Sequence, residues 1–498
     1  MVKNIIIGAG PAGLQMAHFL KDEEYLILEK SDTVCSFFEK FPRHGKLISL
    51  NKSKNLKFDW NAFIGGPSFR EYSEDLYPDT EDYIRYAKDF SKDMNIVFNY
   101  TVMHIYKNEG TFYINNGEYT CERLFIGTGL VPRKPDINVH PSFQVFTYEN
   151  MPLDLEVYRD KAVFILGFGN AALETANFID SVSERTILCG RNMKAWNTHY
   201  PGYARTKHFG AIDNFFLKAR TGIIFDQDHV DSFTKSDAYQ KVKSFLEEPT
   251  EQKGIRKCDI VIFCTGFDCN TGLFKNMIQC EKFPLLTPNF ESTIVPDLFV
   301  IGAASQQHDY KKGTSSFIHG FRYNCQYISR WLKGIQTETF THDETRDKIL
   351  SQINNSSALF HRFDYFCDLV GLRPDGNFDY ISEIPIKAVD QFKNPDWKTY
   401  FTVKLGYFSP MDEDFNQPTT VHPDQAVDCK FLHPILHTPE VSFHLPEEIF
   451  TEFIWENFHV KPLDLFIQYV EGNLQWEDFM NMIYDIPADC GKINVALQ

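Results

Sequence analysis

Three glycines close to the start of the chain have the spacing of a phosphate-binding turn. Gly8, Gly10 and Gly13 follow the apolar residues 4–7, NIII. In such a turn the first glycine permits a tight bend, the second lets backbone N–H groups approach a pyrophosphate, and the third lets a helix pack on a strand. Glu29 lies 21 residues after Gly8, where an acid can accept hydrogen bonds from an adenosine ribose. The residues predicted to bind this first nucleotide are Gly8, Gly10, Pro11, Ala12, Gly13, Glu29 and Lys30.

A second turn of the same kind begins 159 residues later, within AVFILGFGNAALETANFI at residues 162–179. Its third glycine position holds Ala172, a tolerated variant. The segment RTILCGR at 185–191 follows and ends in Arg191 instead of an acid. A basic residue at this point favours NADPH over NADH, because it can bind the 2′-phosphate of NADPH. The alternative is that Arg191 is only solvated. The residues predicted to bind the second nucleotide are Gly167, Gly169, Asn170, Ala171 and Arg191.

Alternating strands and helices must hold these two turns in place. Residues 4–8 and 25–30 are mainly apolar, as in parallel strands buried on both faces, and residues 11–21 carry a helical apolar stripe. A glycine pattern is specific in this strand–turn–helix–strand context. Two such units predict two nucleotides, FAD at the first turn and NADPH at the second. The predicted fold is therefore α/β, a two-dinucleotide-binding-domain flavoprotein with Rossmann-like FAD and NADPH domains and an extra C-terminal region.

Three further apolar strands end in small residues, within the segments 123–135, 259–268 and 296–305. Glycine at such a strand end lets the backbone approach a cofactor closely. Residues 315–332 are predicted to form a helix whose N-terminus, near Ser316, faces the flavin pyrimidine ring and stabilises negative charge there. These segments add five predicted cofactor-binding residues, which are Thr128, Gly129, Gly266, Gly302 and Ser316.

The order of these motifs predicts how the chain divides into domains. The FAD-binding domain is expected at residues 1–150 and 290–335, interrupted by the NAD(P)H-binding domain at 155–289. Glycine-ended strands stop after about residue 335, so residues 336–498 are predicted to form a separate C-terminal domain or a wrap. Residues 401–498 contain 16 acidic and 4 basic residues, which indicates either a solvated face or a docking surface.

The composition narrows the range of functions. A net charge of −17 argues against nucleic-acid binding, because the phosphate backbone would be repelled. No apolar run reaches the roughly 20 residues of a membrane span, so no membrane partner is expected. The first apolar stretch is already a strand with a glycine turn, so it does not resemble a signal peptide. We therefore expect a cytoplasmic protein.

Eleven cysteines occur without any C-x-x-C pair, as expected in a reducing compartment. Cys264 and Cys269 have the spacing of a possible redox pair, although strand and turn cysteines are the favoured interpretation. Only one pair of histidines, His433 and His437, has H-x3-H spacing, and two ligands alone do not make up a metal site. We therefore expect neither a dithiol relay nor a metal site.

Several longer segments, spread over nearly the whole chain, resemble those of a known family. They are FFEKFPRHGKLISLNK (37–52), DWNAF (59–63), YPDTEDYIRYAKDF (77–90), GNAALETANF (169–178), NTHYPGY (197–203), DYKKGTSSFIHGFRY (309–323), EIPI (383–386) and FLHPI (431–435). Together they resemble the FAD-dependent oxidoreductase domain-containing protein 2 group. The resemblance implies an FAD protein that uses NAD(P)H, with the two-domain architecture of flavin-containing monooxygenases. The luminal location of the known animal member is not carried over, because its signal peptide and retention tail have no counterpart here.

Positioning groups, rather than a nucleophile or a metal, are the candidates for catalysis at a flavin. His44 and Lys46 lie after the first unit, where the chain passes over the flavin in related folds, and are predicted to bind the cofactor. Asn51 and His319 are predicted to lie nearest to the flavin and to be catalytic. The competing interpretations are a phosphate-binding or solvated Lys46 and a core histidine at position 319.

Three functions remain open from the sequence. The first is an NADPH-using monooxygenase of a small molecule, with N-hydroxylation as one form, acting with O2 through a C4a-hydroperoxyflavin. The second is an NAD(P)H-dependent reductase of a disulfide, a quinone or a protein acceptor. The third is an interaction protein that holds FAD as a structural element. Neither the substrate nor the oligomeric state can be predicted from these patterns.

Overall fold

The computed structural model describes residues 1–47, 51, 59–133, 137–167, 169–190, 221–225, 237–248, 258–269, 272–310, 312–406, 432–444, 456–475, 477–479 and 482. The strands are β1 (Val2–Ile7), β2 (Tyr25–Leu28), β3 (Ile96–Val97), β4 (Ile105–Asn108), β5 (Thr111–Ile114), β6 (Tyr119–Ile126), β7 (Leu130–Pro132), β8 (Gln144–Thr147), β9 (Ala162–Leu166), β10 (Arg185–Gly190), β11 (Thr221–Phe225), β12 (Ile260–Phe263), β13 (Phe267–Cys269), β14 (Leu298–Val300), β15 (Glu338–Phe340), β16 (Phe366–Leu372), β17 (Phe378–Pro385), β18 (Thr399–Gly406), β19 (His433–His437) and β20 (Ser442–His444).

The helices alternate with the strands in the first two thirds of the chain. They are α1 (Pro11–Phe19), α2 (Phe37–Lys40), α3 (Thr80–Phe90), α4 (Asn170–Ile179), α5 (Asp237–Glu247), α6 (Ile318–Lys333), α7 (His342–Asn355), α8 (Ser357–His361), α9 (Val389–Phe392) and α10 (Glu456–Val470). Within the described ranges, none of them combines the length and the apolar composition that crossing a bilayer requires.

The first sheet has the order β3-β2-β1-β6-β5-β4, with β14 paired to β6. The pairs β1–β2, β1–β6 and β6–β14 are parallel, and the interior residues of β1 are fully buried, as the apolar pattern predicts. Strands β5 and β6 form a hairpin, with Asn116 at a φ of +60° in the turn. This sheet brings the ends of β1, β6 and β14 side by side.

The second sheet is entirely parallel, in the order β11-β10-β9-β12-β8. A different helix covers each face of this sheet. Ile165 packs with residues of α4, whereas its neighbour Phe164 packs with residues of α5. The domain boundaries differ from those predicted. Strand β8 belongs to this sheet although it precedes residue 150, and Phe274 and Leu286, predicted to lie in the second domain, pack in the core of the first.

A two-stranded ribbon joins the two domains. Strands β7 and β13 follow the two Thr-Gly pairs and lie antiparallel, with Leu130 opposite Cys269. The N–H of Arg133 donates to the carbonyl of Gly266 at 2.9 Å, and its Nε donates to Asp268 at 2.7 Å. Both passages of the chain between the domains are therefore bonded to each other.

The C-terminal region contains an antiparallel sheet in the order β15-β17-β16-β18-β19-β20. Helices α7 and α10 pack together beside it. Buried residues of this sheet, such as Leu369 and Phe401, belong to the same apolar core as Ile6 and Phe125 of the first domain. The described part of the region is thus a folded layer on the first domain, and the short helix α8 lies where the two meet.

Candidate cofactor and active site

The first glycine turn is too tightly packed to accept side chains. Gly8 has a φ of +101°, and a Cβ built there would lie 2.6 Å from the carbonyl oxygen of Gly127. A Cβ on Gly13 would lie 1.9 Å from the carbonyl oxygen of Gly8. Both positions therefore require glycine, the first for the bend between strands and the second for the contact between α1 and the turn.

The space in front of α1 fits a phosphate group. A Cβ built on Gly10 would meet nothing within 4 Å, in contrast to the two glycines on either side. Gly10 caps α1 without a side-chain hydrogen bond, and Pro11 occupies the first helical position. The N–H groups of the first turn are thus uncapped and point toward open space, which suits the pyrophosphate of FAD.

Glu29, the predicted ribose-binding acid, lies just after β2. The side chain is 5% exposed; Oε2 accepts a hydrogen bond from the N–H of Ala9 at 2.6 Å, and Oε1 accepts one from the N–H of Ser31 at 2.9 Å. An ionised carboxylate has about four acceptor sites, so two remain for ribose hydroxyls. Lys30, the next residue, is exposed to solvent.

The ends of β6 and β14 complete this side of the site. The Oγ1 atom of Thr128 is buried and has no hydrogen-bond partner in the described chain, as expected of a group that meets a cofactor. Gly129 has a φ of +67° and open space at its Cβ position. Gly302 has a φ of +73°, and its Cβ would lie 2.9 Å from the Cβ of Ala12. Strand β14 therefore ends against the first turn of α1.

The helix predicted at 315–332 begins later than expected, at Ile318. The N–H of Ser315 donates to a carboxylate oxygen of Asp309 at 3.0 Å, and the N–H of Phe317 donates to Thr314 at 2.9 Å, so these residues form a turn before the helix. Ser316 is half-buried within that turn. Its predicted role must therefore be played from the loop and not from the helix itself.

The second glycine turn repeats the first with one change. Gly167 has a φ of +138°, and its Cβ would lie 2.2 Å from the carbonyl oxygen of Cys264. Gly169 caps α4 without a side-chain hydrogen bond, and Asn170 opens the helix with a buried Oδ1 that has no partner among the described residues. Ala171 is half-buried beside it, and Arg191 lies outside the described residues. The turn fits a second pyrophosphate.

Gly266 occupies the corresponding point on β12 and the ribbon. It has a φ of +89°, and nothing lies within 4 Å of its Cβ position. Gly129 and Gly266 thus end equivalent strands of the two domains and both border open space.

His44 and Lys46 do not lie together. The Nε2 of His44 is 3.5 Å from Oγ1 of Thr175, and its ring packs on Phe178 with a centroid distance of 5.0 Å, so His44 contacts α4 of the second domain. Lys46 forms an ion pair with Asp79 at 2.9 Å, and this hydrogen bond is the main reason that the pKa of Lys46 is raised. A role for either residue in cofactor binding remains a prediction.

The two predicted catalytic residues lie in different surroundings. Asn51 is 2% exposed, and its Nδ2 donates to the carbonyl of Ser73 at 2.6 Å, while its buried Oδ1 has no partner within the described ranges. His319 is also buried, with its ring 4.6 Å from that of Trp60 and 5.3 Å from that of His361. Asn51 therefore holds a surface loop, whereas His319 belongs to an aromatic cluster.

His361 is a buried histidine beside His319 that the sequence analysis did not single out. It lies at the end of α8 in the C-terminal region, and its ring also packs edge-on against Trp60 at 5.5 Å. The only signal in the sequence is an HR pair inside a segment without a recognisable motif. Its proximity to His319 depends on how two separate regions pack, which no local pattern records.

No disulfide joins any two of the cysteines within the described ranges. Nine of them are free thiols, at positions 35, 121, 189, 258, 264, 269, 280, 325 and 367. Burial raises the pKa of the Cys264 and Cys269 thiols to about 12, and it raises the pKa of Cys35 further. Thiols with raised pKa values are poor nucleophiles, because the thiolate is the reactive form.

One cluster in the C-terminal region has the residue types of a metal site. Ligand atoms of His342, Asp343 and Asp464 lie within 4.8 Å of one another. Both ring nitrogens of His342 are already hydrogen-bonded, to Asp464 at 2.9 Å and to Glu471 at 3.1 Å. Arg346 also approaches Asp464, at 3.4 Å. We interpret the cluster as an ion-pair network that joins α7 to α10.

Comparison with known proteins agrees with these two turns. The model of the pyridine nucleotide-disulphide oxidoreductase family matches residues 5–302. FAD-dependent oxidoreductase domain-containing protein 2 of Mus musculus is 28% identical over 93% of this chain and 83% of its own length, and the protein of the same name from Danio rerio is 27% identical over 93% and 82%. The structure of a bacillithiol disulfide reductase from Staphylococcus aureus covers 66% of this chain and 98% of its own, with a TM-score of 0.51 and 19% identity.

These findings confirm three predictions. The fold is that of a two-dinucleotide flavoprotein, the resemblance to the oxidoreductase domain-containing group holds over nearly the whole chain, and the cofactors are FAD and NADPH. The roles assigned to individual residues stay predictions.

Proposed function

Because the chain belongs to the pyridine nucleotide-disulphide oxidoreductase family and is an FAD-dependent oxidoreductase, we propose that it uses NADPH and O2 to oxygenate a small molecule. The overall reaction converts NADPH, a proton, O2 and the substrate into NADP⁺, water and the oxygenated product. An amine is the first substrate class to test, since N-hydroxylation is the form of the reaction predicted above.

Bound FAD supplies the chemistry, accepting a hydride from NADPH and activating O2. The protein's part is binding and orientation. Gly10 and the start of α1 hold the FAD pyrophosphate, and Glu29 holds its ribose. Gly169 and Asn170 hold the pyrophosphate of NADPH at the start of α4.

The observation that carries the proposal is the state of the thiols. A flavin disulfide reductase with its own dithiol needs two cysteines that approach each other and form a thiolate. The described cysteines are free, and eight of the nine have a raised pKa, chiefly because they are buried. This favours a reaction at the flavin itself over one relayed through protein thiols.

The surroundings of His319 also suit a reaction that water would disturb. His319 and Tyr323 of α6 are buried, and the partly buried ring of Trp60 lies 4.6 Å from that of His319. Such a group excludes water from an adjacent reacting centre. The burial of these rings supports the role predicted for His319 beside the flavin.

The test is a stoichiometric assay of the purified chain with NADPH, O2 and a panel of amines in the presence of catalase. We expect NADPH, O2 and substrate to be consumed in equal amounts for at least one amine, with an oxygenated product seen by mass spectrometry. NADPH consumption without any oxygenated product, with about half as much O2 consumed as NADPH because catalase returns the rest, would contradict the proposal if it were seen with every compound. Rapid anaerobic reduction of a quinone or disulfide would indicate the reductase, and yellow protein that NADPH never bleaches would indicate the FAD-holding interaction protein.

A matched control separates the flavin reaction from a thiol relay. Cys269 and Cys280 are only partly buried and influence each other electrostatically. The double variant Cys269→Ser, Cys280→Ser should retain the full rate of oxygenation. A rate reduced to background in this variant would mean that thiols carry the electrons.

A further inference from the structure

His361 reaches the first domain from the C-terminal region. It is the last residue of α8 and is 2% exposed. Its ring lies 5.3 Å from that of His319, in the first turn of α6, and 5.5 Å from that of Trp60. Three distant parts of the chain therefore meet at one point, and two of them, His319 and His361, lie outside the range that the family model matches.

The hydrogen bonds of His361 define its tautomer. The Nδ1 atom lies 2.9 Å from the carbonyl oxygen of Ser357. A carbonyl only accepts hydrogen bonds, so Nδ1 carries the proton and Nε2 of the neutral ring is an acceptor. The neutral form is favoured because burial, aided by the nearby Arg322 and His319, holds the pKa of His361 well below its usual value.

Nε2 of His361 has no hydrogen-bond partner within the described chain. An acceptor that is buried and left unpaired destabilises a fold by about 1–3 kcal/mol. Unpaired groups of this kind in a native structure call for a physical reason, such as a ligand that pairs with them. The atom sits in an aromatic cluster and not at the surface, so bulk water does not satisfy it.

The position of His361 is fixed by its neighbours in sequence. Arg362 forms a buried ion pair with Asp309 at 2.5 Å, and the same carboxylate oxygen accepts from the N–H of Ser315. The hydroxyl of Thr314 donates to the carbonyl of His361. The segment that leads into α6 is thus tied to the end of α8, at the carbonyl of His361 and at the side chain of Arg362.

We propose that Nε2 of His361 accepts a hydrogen bond from an N–H of the flavin ring, so that the C-terminal region supplies a cofactor-binding residue. The oxidised isoalloxazine ring has a single N–H, at N3 of its pyrimidine part. The chain near Ser316 is predicted to face that part of the ring, and His361 contacts His319, three residues further along the chain. The inference rests on FAD as the cofactor and is independent of whether O2 or another acceptor oxidises it.

Two isosteric variants test the two nitrogens separately. In His361→Asn, the amide occupies the place of Nδ1, so the bond to Ser357 can be kept while the acceptor is lost. In His361→Gln, an amide oxygen can take the place of Nε2. FAD is titrated into the full-length chain stripped of flavin, and affinity, the visible spectrum of the bound flavin and its midpoint potential are measured. We expect the Asn variant to bind FAD about three- to tenfold more weakly with a shifted spectrum, and the Gln variant to recover most of the affinity.

A role limited to packing gives a different result. Both variants would then lower the melting temperature and leave the affinity, spectrum and potential of FAD as in the unmodified protein, which would overturn the inference. A measurement on the unmodified protein decides the matter if the variants do not fold. FAD methylated at N3 lacks the donor, so it should bind more weakly than FAD, and equal affinity for the two would also overturn the inference.

Discussion

The two glycine turns of this chain are built alike at the first position and differently at the third. At the first position, a Cβ on Gly8 or on Gly167 would lie 2.6 or 2.2 Å from a carbonyl oxygen of the neighbouring strand's end. At the third, a Cβ on Gly13 would lie 1.9 Å from a carbonyl, whereas Ala172 has a methyl group that is fully buried. The first glycine is therefore required by the bend of the backbone. Whether the third position must also be glycine depends on how closely the helix approaches the turn.

The most severe test of this comparison is Gly13→Ala. We expect it to lower the free energy of unfolding by about 3 kcal/mol, because the obstacle to the methyl group is backbone that cannot move aside. FAD binding should be lost with it. Urea unfolding and the flavin content of the purified variant measure the two effects. A stable, yellow Gly13→Ala protein would mean that α1 can shift away from the turn as α4 does.

The charged residue that follows each glycine turn is predicted to affect the binding of one nucleotide only. Glu29 serves the first turn, whereas Arg191 follows the second and was predicted to bind the 2′-phosphate of NADPH. Arg191→Ala should raise KM for NADPH about tenfold, the loss of about 1.4 kcal/mol, and change KM for NADH little. Steady-state kinetics with both nucleotides measure this. An equal effect on both would show that Arg191 does not read the phosphate, and FAD content serves as the control.

The converse variant, Ala172→Gly, should have a smaller effect than Gly13→Ala. It removes a buried methyl group and places glycine in a helix, so we expect a loss of about 1 kcal/mol. The affinity for NADPH should stay unchanged, since the methyl group faces the protein core. Thermal unfolding and NADPH titration test this. A large loss of NADPH affinity would place the residue in contact with the nucleotide.

The smallest effect is expected outside both domains, at His342. Burial disfavours its charged form, but hydrogen bonds to Glu471 and Asp464 outweigh this and raise its pKa. A raised pKa stabilises the fold fully below the unfolded value of about 6.5, and this is lost as pH rises through the folded pKa. His342→Ala should thus be about 0.5 kcal/mol less stable than the unmodified protein at pH 5.5 and nearly equal at pH 8.5.

Urea unfolding at the two pH values measures this difference. Affinity for both nucleotides should stay unchanged at either pH. A variant that weakens FAD binding would show that the C-terminal helices transmit strain to the first turn. A stability loss that grows with pH would contradict the sign of the pKa shift.

The parts of this structure that the sequence predicted are those fixed by local requirements. Gly8 and Gly13 are recognisable because no other residue fits, and Glu29 because a parallel strand places it at a constant distance from the turn. The parts that were missed depend on contacts between distant segments. Strand β8 joins the second sheet only through its pairing with β12, and the six-stranded antiparallel sheet of the C-terminal region has no signature turn. The contacts of His361 likewise arise only from the packing of α8 against α6.

The ribbon of β7 and β13 has a consequence for how the domains move. Two independent connections would allow the two domains to translate as well as rotate relative to each other. Here the two connections are joined to each other by backbone hydrogen bonds and by the Arg133–Asp268 ion pair, so they act as a single hinge. We therefore expect the two domains to rotate about this hinge as rigid bodies when NADPH is exchanged for substrate beside the flavin.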